Sequence, residues 1–132
     1  MLSPYTLRQR VQRRLEDQRV LVRALLELRE QLQGSLFTRY GECRKPGCGC
    51  QEGALHGPYY VLSTRVGGKS GFAYLESERV SEARERVKSY REFRKGLRKL
   101  KRLNQDLVSL LRRYQAVASR EGGRRIGLAA TA

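Results

Sequence analysis

Residues 40–60, YGECRKPGCGCQEGALHGPYY, contain every cysteine of the 132-residue chain and its single histidine. These side chains are Cys43, Cys48, Cys50 and His56, in the pattern C-x4-C-x-C-x5-H. Zn²⁺ takes four tetrahedral ligands from thiolate sulfur and imidazole nitrogen, and three cysteines with one histidine are a recurrent structural set. A site whose four positions are all filled by protein has no place for a catalytic water. The stretch therefore predicts a structural zinc site.

The loop also has the backbone that a metal site requires, because Gly47, Gly49 and Gly53 permit positive φ values and Pro46 fixes a turn. C-x4-C followed directly by C-x-C is an uncommon variant of zinc-ligand spacing. Three other interpretations stay open. They are reduced cysteines beside an ordinary surface histidine, an iron–sulfur site, in which histidine is rare, and a disulfide, which leaves one cysteine unpaired. Without a metal, His56 and a neighbouring thiol are a candidate reactive pair.

The residues around the cysteines resemble a known family. The runs GSLFTRYGECRKPGCGC and HGPYYVLS, followed by the RVGGK turn, look like the central segment of a widespread, poorly characterised prokaryotic domain family of unknown function. Members carry C-G-K-P-x-C-x-C and then H-G-P-Y-Y between two helices. This chain has Arg44 where glycine is usual and Gly49 where a basic residue is usual. Neither change touches a predicted ligand.

The resemblance covers about residues 34–115 and implies no established activity. Genes of this kind are similar to genes found among mobile elements, which implies a possible association with such elements. That association is the basis for a slight preference for DNA over RNA as a partner.

Length and composition limit the class of protein. The 132 residues suit one domain with a small core, so stability is expected from helix packing and the metal. No apolar run approaches the roughly 20 residues of a membrane span, and the N-terminus lacks the apolar region of a signal peptide. We therefore expect a cytoplasmic protein, in which thiols stay reduced.

The charge balance points to an anionic partner. Twenty-eight Lys and Arg residues against 13 Asp and Glu residues give a net charge of +15. A charge of this size opposes compaction and is better tolerated when a polyanion shares the field. Nucleic acid is the first candidate, and a highly charged helical protein whose basicity serves solubility is the alternative.

A first helix is predicted over residues 4–33. Ser3 supplies the N-cap hydroxyl, Pro4 suits the first helical position, and Gly34 ends the helix. A seven-residue apolar repeat predicts the buried stripe. That stripe comprises Leu7, Val11, Leu21, Leu25, Leu28 and Leu32, is interrupted by Arg14 and Gln18, and is widened by Val22 and Leu26.

A second helix is predicted over residues 78–120, opened by Ser77 and stopped by Gly122-Gly123. Its apolar residues follow the three-four spacing of a coiled-coil seam. The predicted seam is Tyr90, Phe93, Leu97, Leu100, Asn104, Leu107, Leu111 and Tyr114. Asn104 is the one polar member, and it either fixes the register of a buried seam or is partly solvated.

Three short antiparallel strands are predicted between the helices, over residues 35–40, 58–66 and the GFAYLE segment that follows Gly67-Gly68. The fold class is therefore α+β, mainly helical: an antiparallel helical hairpin flanking a small zinc-bound β module at 34–76. Residues 1–121 are expected to form a single domain, followed by a disordered tail. The greater length of the second helix favours a homodimer through it.

The second helix carries a basic stripe, named here the basic ridge: Arg84, Lys88, Arg91, Lys95, Arg98 and Arg102. Helical geometry places these residues on one face, about 155° from the apolar seam and about 27 Å long. From Arg94 to Arg102, six of nine residues are basic and none is acidic. Because like charges at this spacing destabilise a helix, the ridge predicts a polyanion contact. The alternatives are an acidic protein partner and a solvated face, ion-paired at its start by Glu82 and Arg86.

Other basic residues extend the predicted nucleic-acid-binding set beyond the ridge. They are Arg44, Lys45, Arg65, Lys69, Arg94, Lys99 and Lys101. Tyr59 and Tyr60 lie on opposite faces of their strand, so one is expected to pack inward, whereas the other is available to stack on a base or to cover the sheet.

The sequence predicts no enzymatic activity and no catalytic residue. The predicted strands lack a close pair of carboxylates for Mg²⁺, and no phosphate-binding loop or nucleophile motif is present. The preferred function is a non-enzymatic zinc protein that binds nucleic acid. The alternative is a coiled-coil-type interaction or dimerisation module with the zinc knob as its recognition tip.

Overall fold

The computed structural model of the chain describes residues 2–42, 45–49, 53 and 55–128. In chain order, its elements are α1 (Pro4–Leu26), β1 (Gly34–Gly41), β2 (His56–Val66), β3 (Lys69–Leu75), a 3-10 turn (Ser77–Arg79) and α2 (Val80–Arg125). Two helices with one three-stranded antiparallel sheet confirm the α+β, mainly helical class. The chain divides into a helical unit (Met1–Glu27 and Lys95–Ala132) and a sheet unit (Leu28–Arg94).

Helix α1 begins where the sequence predicts, because the Ser3 hydroxyl accepts a hydrogen bond from the Thr6 amide at 3.1 Å. It ends at Leu26, so the prediction that it continues to residue 33 is wrong. In the segment that follows α1, the backbone groups bond to distant residues and not to the preceding helical turn. The Leu32 amide donates to the Arg86 carbonyl at 3.0 Å, and the Gln33 carbonyl accepts from the Arg65 amide at 2.9 Å.

The sheet has the order β1-β2-β3, and β2 and β3 are joined at Gly67 and Gly68, whose φ values of 59° and 79° are those of the predicted hairpin turn. The inner face packs against α2. Its buried cluster consists of Leu62, Ala83 and Val87, with Leu32, Leu36 and Leu75 against it. The first turns of α2 therefore cover the sheet. This packing accounts for part of the greater length of α2.

Helix α2 passes through Gly122 and Gly123 and ends at Arg125, so the predicted stop at the glycine pair is wrong. Glycine costs only about 1 kcal/mol in a helix, and both positions keep the helical hydrogen-bond pattern. The end is set by Gly127, whose φ is 84°. The amides of Gly127 and Leu128 donate to the carbonyls of Arg124 and Gly123, the bond pair of a Schellman motif. The predicted disordered tail covers residues 122–132: α2 continues into it as far as Arg125, and residues 129–132 lie outside the described residues.

Within the helical unit, α1 and the second half of α2 are antiparallel. Arg8 donates to the Tyr114 hydroxyl at 2.8 Å, and Gln18 Nε2 donates to Asn104 Oδ1 at 2.6 Å. Leu25 contacts Gly96. Residues further along α1 contact residues earlier in α2, so the two helices form the predicted antiparallel pair.

The buried seam of α2 differs from the predicted one in its second half. Leu110 is only 8% exposed, whereas the predicted Leu111 is 47% exposed. Asn104 lies at the edge of the contact, where it is exposed and bonded to Gln18. In α1, Leu7 and Leu25 are buried as predicted, but Val22 and Leu26 are exposed. At Gly96 the two helices approach closely, because the Leu25 side chain occupies the space that a Cβ would take.

This close approach predicts opposite effects of two glycine-to-alanine changes in one helix. A Cβ at Gly96 collides with the buried Leu25 side chain, whereas at Gly122 nothing lies within 4 Å. Gly96→Ala is expected to destabilise the helical unit by about 1–2 kcal/mol, since overpacking exceeds the gain in helix propensity. Gly122→Ala is expected to stabilise it by up to about 1 kcal/mol. Urea unfolding of both variants measures this, and equal stabilisation would contradict the packing at Gly96.

Candidate metal site and nucleic-acid interface

The structure places one predicted sulfur ligand beside the predicted nitrogen ligand. Cys48 Sγ lies 3.0 Å from His56 Nε2, and both side chains are half-buried. His56 opens β2 and pairs with Gly41, two residues before Cys43 in the sequence. Sulfur and nitrogen ligands of one zinc ion lie about 3.5 Å apart at ordinary bond lengths and tetrahedral angles. The Cys48–His56 pair therefore fits a shared metal after an opening of about half an ångström.

The other two predicted ligands, Cys43 and Cys50, lie outside the described residues, as does Arg44. Across the part of the chain that the structure describes, no group of three or more His, Cys, Asp or Glu side chains is placed to hold a metal ion. The backbone of the loop is turned as the sequence predicts, with Gly47 at φ 81° and Gly53 at φ 124°.

The basic ridge is exposed along its whole length in α2. Its first three residues belong to the sheet unit and its last three to the helical unit. Considering only the described residues, no carboxylate lies within 4.0 Å of the charged groups of Arg91, Lys95, Arg98 or Arg102. Lys88 is the exception in the ridge, because its Nζ lies 4.0 Å from Glu92. Arg94, Lys99 and Lys101 flank the ridge and are also exposed.

Arg86, near the start of the same helix, is an arginine whose charge is paired with carboxylates. It is half-buried and contacts Glu30 at 2.7 Å and Glu82 at 2.9 Å. The hydrogen bond with Glu82, aided by the Glu30 charge, raises the pKa of Arg86 above its usual value. The ion-paired alternative therefore holds for the first turn of α2. Among the residues that the structure describes, no ion pair extends this pattern to the run from Arg94 to Arg102.

The predicted basic residues of the sheet unit are not one cluster. Lys45 lies in the loop before His56, whereas Arg65 and Lys69 flank the β2–β3 turn at the other end of the hairpin. Since β2 has 11 residues, the two ends lie about 30 Å apart. All three side chains are exposed. A ligand that touches the loop therefore does not reach the turn unless it spans the sheet.

The helical unit contains a second basic feature that the sequence did not predict, a cleft of about 400 Å³ between α1 and α2. It is lined by Arg10, Arg13, Arg14, Asp106, Ser109, Leu110 and Arg113. Arg14 Nε lies 3.7 Å from Asp106 and, within the described residues, has no hydrogen-bond partner. The only part of this cleft that the sequence indicates is the three-residue spacing of Arg10 and Arg13, which places them on one side of α1. It becomes a cleft only once the antiparallel register brings Arg113 opposite.

In its described residues, the chain is a small, basic α+β protein with two α-helices and one three-stranded sheet. Residues 5–85 match the family described as a domain of unknown function, DUF6788, and the chain belongs to that family. The match includes α1, which the motif resemblance at 34–115 left out, and ends early in α2. No curated protein and no solved structure matches the chain. None of the helices in the described part of the chain is apolar over a length that crosses a membrane.

Proposed function

We propose that this chain is a non-enzymatic zinc protein that binds nucleic acid through the basic ridge and its β module. The observation that carries the proposal is the run from Arg94 to Arg102, which holds six exposed basic residues. Their mutual repulsion destabilises the isolated helix, and no described carboxylate offsets it. A polyanion that neutralises the run removes this cost.

The mechanism is phosphate neutralisation. A protein that neutralises Z phosphates releases their condensed counterions, and this release supplies most of the non-specific affinity for nucleic acid. The arginine-lined cleft of the helical unit adds to the same positive field. Contacts of this kind position a protein on nucleic acid, and any sequence or structure preference comes from the β module. DNA is slightly favoured over RNA, on the ground of a mobile-element association.

In this proposal zinc is structural and is held by Cys43, Cys48, Cys50 and His56. The closeness of Cys48 and His56 supports a shared ion. When bound, zinc supplies a cross-link between the start of β2 and the cysteine loop, which adds stability to a small sheet. A cytoplasmic location keeps the thiols reduced for this purpose.

The salt dependence of binding tests the proposal. With about five phosphate contacts, the affinity for a 20-base-pair DNA duplex is expected to fall with a log–log slope of about −4 to −5 in salt concentration. Fluorescence anisotropy between 50 and 300 mM salt measures the slope for DNA and RNA duplexes. A slope near zero, or no binding at 50 mM salt, would contradict phosphate neutralisation.

A protein-interaction module is the second candidate. The exposed apolar residues Leu97, Val108 and Leu111 of α2 favour it, because they present an uncovered helix surface in the helical unit. A dimer through this surface depends little on salt. Sedimentation velocity separates the candidates: a dimer that persists at 0.5 M salt and is lost in Leu111→Gln supports the interaction module.

A further inference from the structure

The outer face of the sheet is aromatic and exposed. Phe37 of β1 and Tyr74 of β3 both pair with Val61 of β2, so all three lie on one face. Tyr59 and Phe72 lie on the same face, two residues along their strands. Phe72 is 74% exposed, Tyr74 63%, Phe37 44% and Tyr59 43%, whereas Val61 beneath them is 3% exposed. We name Phe37, Tyr59, Phe72 and Tyr74 the aromatic face.

Two contacts hold the aromatic face in a defined geometry. The rings of Tyr59 and Tyr74 meet edge to face, with centroids 6.4 Å apart and planes at 87°. Arg39 Nη1 donates to the Tyr74 hydroxyl at 2.9 Å, so the guanidinium reaches from β1 across β2 to β3. Because its partner is a neutral hydroxyl, the positive charge of Arg39 is not cancelled by this bond. The face thus combines fixed rings with an available charge.

Charge decides which occupant suits the aromatic face. The three strands contain Arg39, Arg65 and Lys69, and they contain no Asp or Glu. A second copy of a chain with net charge +15 is repelled by such a face. Unpaired nucleotides offer the complement, since each has a flat base for a ring and a phosphate for an arginine. Duplex DNA does not, because its bases are stacked inside the helix.

We infer that the aromatic face is a stacking platform for single-stranded nucleic acid, which deepens the proposed function and rests on it. Phe72, the most exposed ring, takes one base, and Phe37 and Tyr74 take its neighbours. Arg39 contacts a phosphate of the same strand. The basic ridge binds phosphates of any nucleic acid, whereas the aromatic face selects strands whose bases are unpaired.

The test uses three probes of equal length: a 12-nucleotide thymidine strand, the same backbone with abasic residues, and a 12-base-pair duplex. The chain has no tryptophan, so Phe72→Trp gives a single reporter on the face. Its emission is expected to be quenched by the thymidine strand and not by the abasic strand. The double variant Phe37→Leu/Phe72→Leu is expected to bind the thymidine strand about 10- to 100-fold more weakly, with less than a twofold change for the duplex.

Tyr5→Leu is the matched control, because Tyr5 is 69% exposed but lies on α1 in the helical unit. Its affinity for the thymidine strand is expected to stay unchanged. Circular dichroism of each variant verifies that the sheet is folded. The Phe72→Trp variant keeps an aromatic ring at position 72, so its quenching signal does not depend on a substitution that weakens packing.

Each possible result has a definite meaning. If the thymidine and abasic strands bind equally, with steep salt dependence and no quenching, the stacking platform is refuted and phosphate binding by the ridge stands. If none of the three probes binds at low salt, the proposed function fails together with the platform. If the double variant changes only the sedimentation coefficient, the face joins copies of the chain, and the inference is overturned.

Discussion

Cys48→Ser is expected to release zinc and to unfold the start of the sheet. Structural zinc contributes about 10–16 kcal/mol of apparent binding free energy in zinc-finger peptides, and the loss of one of four ligands weakens that binding. Counted over the described residues, the buried cluster around Leu62 is small, with three buried members. It does not replace a contribution of that size. The expected losses are therefore the bound metal and the amide protection of β1 and β2.

Elemental analysis of untagged protein, purified without added metal, gives the first readout. About one zinc per chain is expected in the unaltered protein and none in Cys48→Ser. Amide hydrogen exchange then measures the protection of β1 and β2. The protection of the helical unit serves as the internal reference, because this unit is expected to stay folded. Lys45→Gln is the matched control, because Lys45 is an exposed loop residue before Cys48 and is no ligand.

A folded, metal-free protein would overturn the zinc assignment. In that case the 3.0 Å contact between Cys48 and His56 remains as a hydrogen bond between a thiol and an imidazole. Redox or nucleophilic chemistry of this pair then becomes the first hypothesis, since an imidazole beside a thiol activates it.

Loss of the central ridge charges is expected to have the second largest effect. The variant combines Arg91→Gln, Lys95→Gln, Arg98→Gln and Arg102→Gln. With four of about five phosphate contacts removed, the log–log salt slope is expected to fall to about −1, and affinity at 0.1 M salt to drop about a thousand-fold. All four side chains are exposed, so the fold should be unaffected or slightly stabilised by relief of repulsion.

The control for this variant must change the net charge by the same amount. Four exposed arginines outside the ridge meet this requirement: Arg19, Arg23, Arg29 and Arg79. Their replacement by glutamine is expected to weaken binding by less than about tenfold, because only long-range attraction is reduced. An equal loss in both variants would show that net charge, and not the ridge, governs affinity. Unchanged binding in the ridge variant would refute the ridge as the contact surface.

Much of the local structure follows from short-range sequence. Ser3 and Pro4 start α1, and Gly67 with Gly68 makes the hairpin turn, since each effect depends on neighbouring backbone groups alone. The alternation of side chains predicts that Tyr59 and Tyr60 face opposite ways, and Tyr60 is indeed half-buried whereas Tyr59 is exposed. The concentration of cysteine and histidine in one loop is likewise visible without a structure.

Predictions failed where a distant residue competes with local preference. The apolar repeat of α1 continues to Leu32, but the helix stops at Leu26 because Arg86 and Arg65 supply the hydrogen bonds of the following segment. The glycine pair near the end of α2 did not stop it, because the cost of glycine in a helix is small and Gly127 offers a complete C-cap.

The sequence by itself determined the composition of the candidate sites: the thiols and imidazole of the proposed metal site, the net charge, and the basic ridge, which needs only the helical period. Tertiary structure alone decided which residues meet. The length of β2 separates Lys45 from Arg65, and the pairing of three strands gathers four aromatic rings on one face. The antiparallel register brings Arg113 to the arginines of α1. Pairing between strands and between helices joins residues far apart in the chain, and no local pattern specifies that register.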